Sequence, residues 1–146
     1  MTKLVTAAKI PLVYVNRTPG DSKLPSGVVF VGSDEKQSGT LQMEELAGLA
    51  NYQGKVAVMI GNLTDAGAIQ RTRDVEQVVA KYLKMRVVQK QTANYSRSEG
   101  MVLMLNWLTN GEEIDIVVAN NDEMAIGAVM GLAGWQKREQ NPDWWH

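Results

Sequence analysis

The stretch VVANNDEMAIGAVMGL, Val117 to Leu132, decides the fold. Val117, Val118 and Ala119 read as the end of a buried strand, Asn120 to Glu123 interrupt them, and from Met124 onward the apolar spacing is helical. Asn and Asp are poor strand formers but good helix N-caps, so the run marks a strand passing directly into a helix. It admits two readings: Asn121 or Asp122 caps the helix, or the polar strand end forms a binding site.

Working outward, the same unit recurs. Strands are expected at Ile10 to Val15, Gly27 to Val31, Lys55 to Ile60, Met85 to Gln89 and Ile114 to Ala119. Helical patterns lie between or after them, at Lys36 to Tyr52, Asp65 to Leu83, Ser96 to Leu108 and Asp122 to Trp135. Apolar strands alternating with helices of ~12–18 residues indicate βαβ units and a parallel sheet covered on both faces, an open doubly wound α/β fold. Ligands of such sheets bind beyond the carboxyl ends of the strands. Those ends are Asn16-Arg17, Gly32 to Asp34, Gly61-Asn62, Thr92 to Tyr95 and Asn120 to Glu123, rich in Asn, Asp and Arg. The segment RTPGDSKLPSG, from Arg17 to Gly27, reads as a loop or a domain crossing. The polar QKREQNPDWWH, ending in Trp144, Trp145 and His146, falls outside the pattern.

Composition narrows the chemistry. The 146 residues and 45% hydrophobic content suffice for an ordinary core. Fifteen basic against sixteen acidic residues, with no charge block, give no electrostatic reason to expect nucleic acid or an anionic membrane. There is no cysteine, and the only histidine is His146 at the end of the chain. Thiolate nucleophiles, disulfides, His-ligated metals and Ser-His-Asp arrangements are therefore not expected. Neither GxGxxG after a strand nor GxxxxGK[ST] is present, so no phosphate cradle, nucleotide or other cofactor is expected. Asp122 and Glu123 are adjacent and would diverge rather than chelate a metal. Lys3 and Lys9 stand too close together to flank an export signal, and no run reaches the ~18 apolar residues of a membrane span.

What remains suits a small polyhydroxylated molecule. Asn16, Arg17, Arg71, Tyr95 and Asn121 offer forked hydrogen bonding and an aromatic plate, matching adjacent hydroxyls and an apolar C–H face. Singly, each has an ordinary reading: a cap for Asn121 or Asp122, a packed loop ring for Tyr95, a solvated helix surface for Arg71. The methionines at helical spacing, Met101 with Met104 and Met124 with Met130, read as core.

Several segments resemble the periplasmic sugar-binding proteins of ABC importers, of the ribose- and galactose-binding type. They are IPLVYVNR (Ile10 to Arg17), VGSDEKQSG (Val31 to Gly39), GKVAVMIG (Gly54 to Gly61), QRTRD around Arg71, QTANYSRSEGM (Gln91 to Met101) and ANNDEMAIGA (Ala119 to Ala128). They occur in the family's order over about residues 8 to 134, and VYVNR, QTANYSR and LNWL look most like the inositol- or rhizopine-binding branch. The resemblance implies two α/β lobes closing on a sugar or cyclitol, no enzymatic activity, an ABC permease as partner and a periplasmic location, although a chain without an export signal would stay cytoplasmic. It implies residues 1–31 as the end of the first lobe with a crossing strand, 32–134 as part of the second lobe, and 135–146 as an atypical tail. Asn16 and Arg17 would bond ligand from the first lobe, and Arg71, Tyr95 and Asn121 from the second, with Tyr95 stacking and Asp122 left as cap. Asn16 stands where ribose binders carry Asp, which removes a charged acceptor.

Family members are about twice as long, so a truncated form with weakened or no ligand binding is expected, and exposed sheet edges could support a homodimer. The alternative is the effector-binding core of a sugar-responsive transcription repressor. Against it, YQGKVAV replaces that family's usual LGHRRIA segment. A gene remnant without ligand function is a third reading.

Overall fold

The computed structural model describes residues 1–16, 19 and 23–140. They fall into two compact units, one over Met1–Asp34 and one from Glu35 onward.

The first unit holds α1 (Thr2–Ala7), β1 (Leu12–Val15) and β2 (Val28–Val31). The strands pair in parallel, from Leu12 with Val28 to Val15 with Val31. Both were expected, but each starts later. The Ile10 N–H returns to the Val5 carbonyl at 3.0 Å, which closes the end of α1 and keeps Ile10 out of the ladder. Gly27 sits at φ +80, a left-handed turn that glycine adopts without a Cβ penalty, so the strand begins after it. Helix α1 was not anticipated. It has no side-chain cap and buries no residue, so the sequence carries neither of the usual helix signals. A 2.5 Å contact between the Thr2 and Tyr14 hydroxyls ties it to β1.

The second unit runs α2 (Glu35–Leu49), β3 (Gln53–Ile60), α3 (Ala66–Val79), β4 (Lys84–Thr92), α4 (Arg97–Thr109), β5 (Ile116–Ala119) and α5 (Asp122–Gln140). Its sheet has the order β4-β3-β5, all parallel. The central strand β3 is buried from Val56 to Ile60, and its side chains alternate between two cores. Val56, Val58 and Ile60 pack with Met43 and Ala47 of α2 and Val75 and Val78 of α3. Ala57 and Met59 pack with Met104 and Trp107 of α4 and Met124 and Ala128 of α5. Helices therefore cover both faces, which is the doubly wound arrangement read from the sequence.

Strand β4 and helix α5 exceed their expected bounds by the most. Strand β4 extends through Lys84 to Thr92 rather than Met85 to Gln89. It is an edge strand carrying exposed Lys84, Arg86 and Lys90, with a register shift opposite Val56 and Ala57. Charge and a bulge are how natural edges avoid further pairing, and they also disguise the strand in sequence. Helix α5 continues through Trp135 to Gln140, because Gln, Lys, Arg and Glu are strong helix formers whether or not their spacing is apolar. Trp144, Trp145 and His146 lie outside the described residues.

Helix α2 is tied to the turn after α3 at Glu44, which accepts from Lys81 Nζ at 2.5 Å and from the Tyr82 hydroxyl at 2.7 Å. The Lys81 hydrogen bond first, then that of Tyr82, holds the Glu44 carboxyl below its ordinary pKa, outweighing the opposing effect of burial. A depressed carboxylate contributes stability above the unfolded-state pKa of about 4.3 and loses it as pH falls through the lower folded value. Glu44→Gln should therefore be less stable than the parent at neutral pH, with the gap closing on acidification. Urea unfolding of both proteins at neutral and acid pH checks this; a gap that persists unchanged in acid would refute it.

Candidate functional site

The carboxyl ends of β3 and β5 form the centre of the site. The chain leaving β3 enters α3 on one face of the sheet, whereas the chain leaving β5 enters α5 on the other. Neighbouring strands whose connections part in this way open a crevice between them, the position where doubly wound sheets bind ligands.

From β3 the chain passes through Gly61 and Asn62 to Asp65, whose Oδ1 caps α3 by accepting the Gly67 N–H at 2.8 Å. From β5 it passes through the paired asparagines. Asn120 is 3% exposed. Its Oδ1 accepts the Gly61 N–H at 2.9 Å, and its amide also meets the Thr72 hydroxyl at 3.4 Å. Its main-chain carbonyl accepts from Arg71 Nη1 at 2.6 Å. Asn121 Oδ1 accepts the Met124 N–H at 3.1 Å, and Asn121 Nδ2 donates to the Tyr95 carbonyl at 3.4 Å. The cap of α5 is thus Asn121. The expectation of Asp122 is one residue late, since Asp122 already opens the helix, where its charge and that of Glu123 meet the positive end of the helix dipole.

Tyr95 lies between the ends of β3 and β4, packed against both cores. Its ring covers Gly61 so closely that a Cβ there would fall 2.2 Å from both Cε1 and Cζ. Asn94 and Tyr95 both have left-handed backbones, with φ of 48° and 60°. That conformation is tolerable for Asn and strained for a bulky Tyr, at about 1–2 kcal/mol. Burial raises the Tyr95 hydroxyl pKa, helped by the charge and hydrogen bond of Asp65, while Arg71 and the Asn62 backbone pull it down. Tyr95 therefore stays neutral through the physiological range. Beside it, Thr92 donates to the Gly61 carbonyl at 2.5 Å, and Arg97 makes paired contacts to Glu123 at 2.9 and 2.8 Å that clamp the first turns of α4 and α5.

Of the residues singled out from sequence, Arg71, Tyr95 and Asn121 are brought together at this end of the second unit's sheet. Asn16 follows β1 in the first unit, exposed, at φ 67°, with its N–H on the Val31 carbonyl at 2.9 Å. Arg17 lies outside the described residues. Sequence reading placed Asn120 and Gly61 at strand ends and Asp65 at a helix start, but singled out none of them as a site residue. For Asn120 the doubled asparagine was a usable signal, because a single cap needs only one.

A groove of ≈ 660 Å³ lies at the opposite end of the sheet, lined by Gln53, Lys55, Leu83, Lys84, Arg86 and Asp115. It sits at the amino ends of the strands, away from the switch point; Lys84 and Arg86 are exposed there, and Lys55 is paired with Glu113. The chemistry favours the carboxyl end: a guanidinium, amides, hydroxyls and a neutral ring suit a neutral polyol. Among the described residues no group of three His, Cys, Asp or Glu converges on a metal position, and no helix is long and apolar enough to cross a membrane.

Comparison with known proteins agrees with this geometry. The chain matches the periplasmic binding protein domain over residues 1–141. A Rhizobium meliloti protein named for rhizopine binding is 48% identical over 135 residues, which cover 90% of this chain and 44% of the relative. A ribose import binding protein of Salmonella typhimurium is 33% identical, covering 89% of this chain and 43% of its own length. An ABC transporter solute-binding protein from Bacillus halodurans C-125, solved with bound myo-inositol, superposes with a TM-score of 0.85 at 45% identity, over 94% of this chain and 47% of that one. The chain therefore spans less than half the length of these relatives, which are solute-binding proteins rather than enzymes. With the matched domain spanning nearly every residue, the chain belongs to the periplasmic binding protein family.

Proposed function

We propose that the chain supplies sugar or cyclitol recognition to the solute-binding component of an ABC importer, working in the periplasm with its permease, and that myo-inositol or a close analogue is the favoured ligand class. The observation that carries this reading is the convergence of Arg71, Tyr95 and Asn121 at the β3/β5 switch, in a fold 45% identical to a protein solved with myo-inositol. In this reading Arg71 and Asn121 bond adjacent hydroxyls and Tyr95 lies against the C–H face. Asn16 and Arg17 are the ligand residues of the first unit. Two of the relatives reported above are named as import or ABC transporter components, which favours this reading over a repressor effector core.

Taken alone, the chain should bind weakly. A few hydrogen bonds at about 1 kcal/mol each, set against the cost of association, leave an affinity near the millimolar range. The two-lobed relatives would bind more tightly by enclosing the ligand.

Calorimetric titration against myo-inositol, ribose, glucose and galactose tests the proposal. Myo-inositol is expected to bind best, and Arg71→Ala to weaken it roughly tenfold, as befits a charged hydrogen bond of about 1.5 kcal/mol or more. If no ligand produces heat or raises the melting temperature at tens of millimolar, the chain is not a working binding module.

A further inference from the structure

We propose that Asn120, which does not face ligand in the reading above, is the positioning residue that sets Arg71, Tyr95 and Asn121 relative to one another. The inference rests on that reading for its functional consequence, but its structural content stands separately.

The β3 ladder ends at Ile60, so the Gly61 N–H has no strand partner where β3 leaves the sheet. An orphan donor at a buried strand end is costly, and the Asn120 amide oxygen removes that cost at 2.9 Å. The same amide reaches Thr72, 7% exposed on α3, and the Asn120 N–H donates to the Met59 carbonyl at 3.1 Å. One side chain thus ties together β3, β5 and α3. Asparagine suits this role because its amide both accepts and donates. Alanine would leave the Gly61 N–H orphaned, and a carboxylate would place a charge in a desolvated position.

Anchored at both its amide and its N–H, Asn120 has a fixed carbonyl direction, and that carbonyl takes Arg71 Nη1 at 2.6 Å. A guanidinium is planar, so fixing one N–H aims the rest of the fork. On the other side, Asn120 holds Gly61, and Gly61 is the surface on which the Tyr95 ring lies. Asn121 follows directly in the chain, its own amide divided between the α5 cap and the Tyr95 carbonyl. Arg71 through the Asn120 carbonyl, and Tyr95 through Gly61, are therefore referenced to Asn120, and Asn121 is its neighbour in the chain.

The test uses the isotopically labelled 146-residue chain, read by NMR first without ligand and then with myo-inositol. In Asn120→Ala, the Gly61 amide is expected to lose its protection from exchange and the Arg71 guanidinium signals to shift, while β3 core amides stay protected. Affinity for myo-inositol should fall about tenfold, the scale of one or two misplaced hydrogen bonds. Val118→Ala is the control for simple destabilisation, since it removes core volume from β5 without touching these bonds. It should leave the Arg71 signals and the affinity unchanged. Thr72→Val, which removes the partner of the Asn120 amide, should move the same signals in the same direction by less, and serves if Asn120→Ala does not fold. Unchanged Gly61 and Arg71 signals in both variants, or parent-like affinity in Asn120→Ala, would overturn the proposal. If the parent chain itself fails to bind myo-inositol, the functional reading fails, while the ligand-free spectra still decide whether Asn120 positions Arg71.

Discussion

Replacing Gly127 with alanine is expected to lower the melting temperature by roughly 6–10 °C, from a net destabilisation of about 2 kcal/mol. Gly127 lies on α5 where it crosses α4, and a Cβ built there falls 2.2 Å from the Arg97 carbonyl oxygen and 2.8 Å from the Met101 nitrogen. Both are backbone atoms of a packed helix, so no rotamer change relieves the overlap and the helices must separate. Overpacking of this kind costs about 3 kcal/mol, and the better helix propensity of alanine returns up to ~1 kcal/mol of it. Gly100 and Gly131 line the same crossing, with Cβ positions 2.7 Å from the Met124 carbonyl oxygen and 2.8 Å from that of Met101. Separating the helices there would also loosen Met104, Trp107 and Met124 in the core beneath. Gly134 supplies the opposite case on the same helix, because nothing lies within 4 Å of its Cβ position. Gly134→Ala should stabilise by about 0.5–1 kcal/mol through propensity alone. Thermal unfolding of the two variants should therefore shift in opposite directions. A Gly127→Ala protein as stable as the parent would mean that α4 and α5 do not meet as closely as described.

Those glycines show what was legible in the sequence and what was not. The strands β3 and β5 were readable because burial on both faces demands continuous apolar runs, and Val-Ala-Val-Met-Ile and Ile-Val-Val-Ala satisfy that demand locally. The ends of β4 and α5 were not, because an edge strand and the exposed end of a helix are polar for the same reason that loops are. The α5 cap shifted from Asp122 to Asn121 because a cap is defined by one hydrogen bond, and adjacent Asn and Asp can each make it. At the site, Arg71, Tyr95 and Asn121 were found as chemical types at strand ends. Asn120 and Gly61 were not, because their roles depend on partners distant in sequence: the Gly61 N–H for Asn120, and the Tyr95 ring for Gly61. Residue type reveals which groups can meet a ligand. It does not reveal which residues hold those groups in place.

Gly61 makes that distinction measurable. Gly61→Ala is expected to displace the Tyr95 ring and to reduce affinity for myo-inositol roughly tenfold, with a stability loss of only about 1–2 kcal/mol. The alanine Cβ would stand 2.2 Å from Cε1 and Cζ of Tyr95 and 2.7 Å from its hydroxyl oxygen, so ring and methyl group cannot share the space. Unlike the backbone atoms at Gly127, the ring belongs to a partly exposed side chain that can swing toward solvent, which limits the cost to stability. Swinging out separates the hydroxyl from Asp65 and ends the burial that raises its pKa. Tyrosine titration of the variant should therefore lose the Tyr95 part of the parent's expected high-pKa component and keep that of Tyr82, which its hydrogen bond to Glu44 raises. The sign for stability follows: a tyrosine whose folded pKa is raised contributes stability below its unfolded pKa of about 10 and loses it as pH rises toward the folded value. The parent should accordingly destabilise on alkaline titration more than the variant does. Tyr95→Phe separates the two roles of the residue, because it keeps the plate over Gly61 and removes only the hydroxyl. It should lose the titration signature and retain most of the affinity if ring contact is what holds the ligand. If Gly61→Ala keeps full affinity while its tyrosine titration is altered, the ring has moved without consequence, and Tyr95 is a packing residue rather than the ligand's stacking surface.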